Sequence, residues 1–317
     1  MFHTGLEKIK YADVDTFTSD RGIKWRKRWM GKGWRSLLKL CTSRKIIIEQ
    51  YPQLDKNEAY VFAVNHSFDE DAISALATID RNVYMLQGTT DQMEHNPVFL
   101  AMWLNGMIYV DRMNAESRKS AVEKMKRILE AGSSVVLFPE GGYNNTENQF
   151  IQPLFSSPYV LSKEIGVKVV PMITFNDCGD DKIYVRAGEP MDLSGYEKHE
   201  ALDILRDEMS TLVYQIMEQH VSCVKRASLP ADARLDFLET RKRVYECQKW
   251  HSDVWDEEVT YYPGHGVTTP KQAREFVDDV NISHNNAYVF ADMLVRREED
   301  VRYDLKKYLR EHMKYAD

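Results

Sequence analysis

His66 stands five residues before Asp71 in "FAVNHSFDEDA" (62–72), with Asp69 and Glu70 between them. An imidazole oriented by a carboxylate is a pairing that general-base chemistry uses, because the carboxylate fixes the tautomer and stabilises the imidazolium formed by proton transfer. A second reading needs no chemistry: acids are favoured in the first turn of a helix, where unpaired N–H groups and the helix dipole stabilise negative charge. On a continuous helix residues five apart are separated by about 140° of arc, and Asp69 or Glu70 would be the nearer partner. His66 and Asp71 can meet only if the chain turns between a strand and a helix, so spacing by itself leaves both readings open.

Two other clusters are of the same kind. Asp111-Arg112 ends the apolar run "MIYV", and "FPEGG" (138–142) ends "SVVLF". An arginine's planar fork suits a phosphate, and adjacent glycines allow close backbone approach. Each cluster needs an element to position it. Runs rich in Val, Ile and aromatics predict strands over 59–65, 82–88, 107–112, 134–138, 167–175 and 182–188. "DAISALATID" reads as a short helix. "SAVEKMKRILEAG" (120–132) places Val122, Met125, Ile128 and Leu129 on one face and stops at Gly132. Residues 200–221 form a long amphipathic helix. Alternating strands and helices predict an α/β fold with a mostly parallel central sheet flanked by helices. In such sheets reactive groups collect where strands end, and His66, Arg112 and Glu140 all follow strand ends.

The chain has 317 residues, 43% hydrophobic and 11% aromatic, enough for a sizeable core. No run of about 18 apolar residues occurs, so no membrane-spanning helix is expected. The most apolar window (96–110), broken by Asn105 and Gly106, reads as a buried helix before a strand or as an element dipping into a lipid interface. No apolar signal-peptide core begins the chain. Cys41, Cys178, Cys223 and Cys247 are scattered, indicating neither a zinc site nor a disulfide framework, and a reducing, cytosolic compartment is expected.

Residues 21–45 contain ten Lys/Arg and no acid, with Trp25, Trp29 and Trp34 among them. The segment carries +10 in a chain of net charge −7, so the remainder carries −17. Interleaved Trp and cations favour an anionic membrane surface. Packing of the tryptophans on the acidic body is the alternative. Nucleic acid is disfavoured as a partner by the acidity elsewhere. Three regions are expected: 1–57, a basic lead-in with an amphipathic helical segment at the membrane interface; 58–225, the α/β domain; and 226–317, a helical extension whose two helical stretches are joined by the loop "TYYPGHGVTTP".

Four motifs in order resemble the glycerolipid acyltransferase family, of the lysophosphatidic acid acyltransferase type. "NHSFDED" supplies His-x4-Asp; "GMIYVDR" (106–112) ends in Arg112; "VVLFPEGG" (135–142) is similar to the third motif; and "VKVVPMI" (167–173) looks like the fourth, with Pro171. The resemblance covers roughly residues 58–222. It implies transfer of an acyl group from acyl-CoA or acyl-carrier protein to the hydroxyl of a lysophospholipid, with no further cofactor and no metal. His66 is then the general base, Asp71 its orienting partner, and Asn65, Arg112, Glu140, Gly141 and Gly142 line the substrate side. Arg112 would hold a phosphate, and Glu140 glycerol hydroxyls or Arg112 itself. The third motif departs from the family where a hydroxyl residue and an arginine commonly follow: Gly142 and Tyr143 stand there. The implied location is cytoplasmic, peripheral on the inner face of the membrane. Two other classes compete. A metal-dependent hydrolase would use His66 and the acids as ligands, and a non-catalytic lipid-binding module would keep only the fold.

Overall fold

The computed structural model describes residues 9, 11–29, 38–39, 42–68, 70–88, 102–111, 114–142, 144, 149–176, 180–221, 260–262 and 266–268. The chain divides into two compact units, one of Met1–Gly141 with Leu154–Val221, the other of Gly142–Pro153 with Ser222–Asp317.

The first unit is built on a seven-stranded sheet. Its strands are β1 (Lys45–Gln50), β2 (Tyr60–Val64), β3 (Val83–Gly88), β4 (Met107–Val110), β5 (Ser134–Leu137), β6 (Lys168–Phe175) and β7 (Lys182–Ala187), in the spatial order β1-β7-β6-β2-β5-β3-β4. Every neighbouring pair is parallel except β6 with β7. The helices are α1 (Asp20–Trp29), α2 (Asp71–Thr78), α3 (Ala115–Glu130), α4 (Ser157–Ile165) and α5 (Lys198–His220).

Burial explains the continuous apolar runs: β2 and β5 are buried at every position, as central strands covered on both faces must be. Alternate residues serve opposite faces. Tyr60, Phe62, Val64, Val170 and Met172 share one cluster with Ala75 and Ile79 at α2. Their neighbours Val61, Ala63, Val169 and Ile173 are buried as well, on the face where α3, α4 and α5 contact the strands.

Local chemistry fixes the ends. Asn114 caps α3, its side chain accepting from the N–H groups of Glu116 and Ser117. Gly132, at φ +74°, stops the helix, and Ser133 N–H returns to the Ile128 carbonyl at 3.0 Å. Pro171 sits inside β6, where a missing N–H would ordinarily cost a ladder bond. Its carbonyl accepts from Gly188 N–H at 2.9 Å. In a strand a residue's N and O point to the same side, so the absent donor faces Gly188, where the regular β6–β7 ladder breaks before the isolated Val169–Met191 bridge.

Two elements of this unit were not predicted. β1 lies in the expected lead-in, and α4 follows the third motif. In the second unit, Thr260–Tyr262 pairs antiparallel with Gly266–Thr268, β8 and β9, where the sequence reading placed a loop. The rest of the expected C-terminal helical extension lies outside the described residues. Among the described residues no helix is long and apolar enough to cross a membrane.

Candidate active site

β2 and β5 are parallel neighbours, with Ala63 opposite Leu137, so their C-terminal ends open on the same edge of the sheet. Asn65-His66 continues β2 and Phe138-Pro139-Glu140 continues β5. The chain after β2 does not run directly into a helix. Residues 65–68 turn, and α2 begins at Asp71.

That turn brings the pair together. His66 Nδ1 lies 2.8 Å from Asp71 Oδ2. The same oxygen accepts the N–H groups of Ser67 at 2.8 Å and Phe68 at 3.2 Å, so Asp71 both closes the turn and orients the ring. Its side chain is 1% exposed, that of His66 15%. Asp71 Oδ1 is buried without a hydrogen-bond partner, which leaves the whole hold on the carboxylate to Oδ2. The Phe138 ring packs on the imidazole at 4.6 Å between centroids. Glu70 does not compete. It makes no capping bond to α2, and accepts from Ser43 N–H at 2.7 Å with Arg44 at 3.6 Å.

Two of the residues expected on the substrate side are bonded to the fold itself. The Asn65 side chain is buried and exchanges bonds with Thr174 in β6: Oδ1 accepts Thr174 N–H at 2.8 Å, and Nδ2 donates to the Thr174 carbonyl at 3.0 Å and to Ser67 Oγ at 3.2 Å. Its amide is bonded inside the fold, so Asn65 holds the turn that follows β2. Glu140, also buried, accepts the His66 backbone N–H on Oε1 at 2.9 Å. Strand adjacency gives it this positioning role.

The backbone itself requires Gly141. Its φ is +74°, its N–H closes a turn onto the Phe138 carbonyl at 3.0 Å, and a Cβ there would lie 2.2 Å from the Phe155 ring. Phe155 is itself tied back, its N–H donating to the Pro139 carbonyl at 2.7 Å. Gly142 is the first residue of the second unit. Arg112 lies outside the described residues. The strand before it, β4, is separated from β2 by β5 and β3, three inter-strand spacings or about 14 Å. Among the described residues no group of three or more His, Cys, Asp or Glu side chains is placed to hold a metal ion.

A parallel sheet with a histidine–aspartate pair at the carboxyl end of a central strand is a scaffold for proton transfer to and from a bound substrate. Residues 45–174 match the family model described as Acyltransferase. No curated protein matches the chain. Among solved structures it is similar to the 1-acyl-sn-glycerophosphate (LPA) acyltransferase PlsC from Thermotoga maritima, with 16% identity and a TM-score of 0.46, over 70% of this chain and 95% of that one.

Proposed function

We propose that the domain moves a fatty acyl group from a thioester carrier, acyl-CoA or acyl-carrier protein, to the hydroxyl of a lysolipid, above all lysophosphatidic acid. The observation that carries this reading is the 2.8 Å contact between His66 Nδ1 and the buried Asp71 carboxylate. With its proton on Nδ1, facing Asp71, the ring presents the Nε2 lone pair as base. The acceptor hydroxyl gives its proton to Nε2 as its oxygen bonds to the thioester carbon. The tetrahedral intermediate then expels the thiolate, which takes the proton from the imidazolium and leaves as thiol. Asp71 stabilises the imidazolium between the two steps. The alcohol is itself the nucleophile, so no covalent acyl-enzyme is needed.

The acceptor's phosphate is assigned to Arg112, on the sequence motif alone. We place the enzyme peripherally on the cytoplasmic face of the membrane, with the basic segment 21–45 toward the anionic headgroups.

Purified protein offered labelled acyl-CoA or acyl-carrier protein with a panel of lysolipids should form one acylated product. His66→Ala should lose at least about 10²-fold in turnover, the low end of what a general base contributes, with its circular dichroism unchanged. Retained turnover in that variant would overturn the assignment.

A further inference from the structure

α3 buries polar side chains as well as apolar ones. Ser117, Ser120 and Lys124, at i, i+3 and i+7, form one stripe of the helix, and each is at most 1% exposed. Polar groups taken out of water need partners inside the fold, and each of these has one. Ser117 Oγ accepts the Asp111 N–H at 2.9 Å. Ser120 Oγ donates to the Ala12 carbonyl at 2.5 Å, and Lys124 Nζ donates to the Ile9 carbonyl beside its pairing with Asp15. Asp15 in turn accepts from the Trp103 indole N–H at 3.4 Å. The stripe therefore holds two things along α3: the N-terminal segment 9–15 and the residue that follows β4.

Tyr11 joins the two. Its hydroxyl donates to Asp111 Oδ2 at 3.4 Å, from 100 residues upstream. Asp111 is then held at three points: its N–H by Ser117, its carbonyl by the Asn114 N–H at 3.2 Å, and its carboxylate by Tyr11. Asn114 is the residue that caps α3. Asp111 and Asn114 are the described residues on either side of Arg112. Fastening the N-terminal segment to α3 needs only Ser120 and Lys124. A hydroxyl that reaches past them to Asp111 does something further: it fixes the residue from which the chain enters Arg112.

We propose that Tyr11 is a positioning residue for the acceptor's phosphate: through its bond to Asp111 it sets the place from which Arg112 reaches that group. The inference rests on the assignment of the phosphate to Arg112 made above, and adds that a residue far upstream of the four motifs tunes acceptor recognition. Its effect is confined to acceptors that carry a phosphate, because a phosphate-free lysolipid makes no demand on Arg112. Proton transfer is untouched, since β5 and β3 lie between β4 and the strand that leads to His66.

The test uses the full chain and two probes, a short-chain lysophosphatidic acid and the monoacylglycerol of the same chain, with Kd measured by calorimetry. Arg112→Ala should weaken lysophosphatidic acid binding at least about tenfold, as the loss of a charged partner implies. Tyr11→Phe should weaken it about three- to tenfold, the order of one hydrogen bond. The phenylalanine keeps the ring, so the thermal melt and the Kd for monoacylglycerol should match the parent, and kcat should stay within about twofold. The double variant should bind lysophosphatidic acid no more weakly than Arg112→Ala, because Tyr11 acts through Arg112. Equal losses for the two probes would make Tyr11 a brace of the fold alone and overturn the proposal, as would a further loss in the double variant. If Arg112→Ala weakens binding and Tyr11→Phe does not, this inference falls and the phosphate assignment stands. If Arg112→Ala binds lysophosphatidic acid as the parent does, the assignment fails and takes this inference with it. Both binding effects without any acyl transfer would sink the acyltransferase reading and leave Tyr11 in its place.

Discussion

At the scale of single residues, the catalytic reading rests on one carboxylate oxygen. Asp71 Oδ2 takes the His66 ring N–H together with two backbone N–H groups, so the turn that brings the pair together is built by the same atom that orients the base. An aspartate in a first helical turn usually serves the helix; here the chain bends so that it serves the histidine. Asp71→Asn should lower kcat by about 10²–10⁴-fold, because a neutral amide, even with its oxygen in the place of Oδ2, brings no negative charge to stabilise the imidazolium. Steady-state kinetics at saturating acceptor measure it, and a kcat within twofold of the parent would refute the pairing. The spacing of His66 and Asp71 left their pairing open, and the four motifs in order carried it. The part played by Glu140 could not be read in that way. Its bond to His66 N–H exists only because β5 lies beside β2, and β3 and β4 intervene in sequence. Glu140→Gln retains an acceptor for that N–H and should keep most of kcat. Glu140→Ala should lose about 10-fold or more, as the loss of a buried bond to a positioned group implies, with little change in acceptor KM. A rise in acceptor KM in both variants would return Glu140 to substrate binding.

At the scale of elements, the strands that were legible are the ones buried on both faces, because nothing but apolar β-formers fits there. β1 escaped because it is an edge strand: "KIIIEQ" is half exposed along its length and opens in a run of cations, so it reads as part of the basic lead-in. α4 escaped because nine residues starting "SPYVLSKEI" carry too little periodicity to distinguish a helix from a loop. The glycines that matter were visible as letters but not as reasons. Gly106 accommodates Arg26, and Gly141 takes a left-handed turn against Phe155. Gly141→Ala should destabilise the domain by about 1–3 kcal/mol from backbone strain alone, and further from the clash. Adding Phe155→Ala removes the clash but not the strain, so the double variant should lose less than the sum of the two single changes in urea unfolding. Strict additivity would show that the ring and the turn are independent.

At the scale of the whole first unit, the sheet is closed at both edges by side chains from distant parts of the chain. On the β3–β4 side, Tyr84 Oη of β3 donates to the Phe17 carbonyl at 2.8 Å and the buried Lys124 of α3 pairs with Asp15 at 3.4 Å. At the other edge Arg186 of β7 donates to Glu49 of β1 at 2.7 Å and to Gln215 and Gln219 of α5, both at 2.9 Å, and His220 also contacts Glu49. Burial by itself would raise the Glu49 carboxyl, but the hydrogen bonds from Arg186 and His220, with their charges, outweigh it and hold the group below its ordinary 4.5. The sign of the consequence follows. The unfolded chain takes up this proton at higher pH than the folded one, so the contribution is fully present above 4.5 and is lost as pH falls through the lowered folded value. Urea midpoints of the parent and Glu49→Gln should therefore differ most near neutrality and converge in acid, and a gap that widened toward acid would contradict the assignment. β1 is separated from β2 by β7 and β6, about 14 Å at ordinary strand spacing, so the same substitution should leave turnover at neutral pH unchanged. Loss of turnover without loss of stability would instead mean that this edge communicates with His66 through β6, whose Thr174 already holds Asn65 at the head of the catalytic turn.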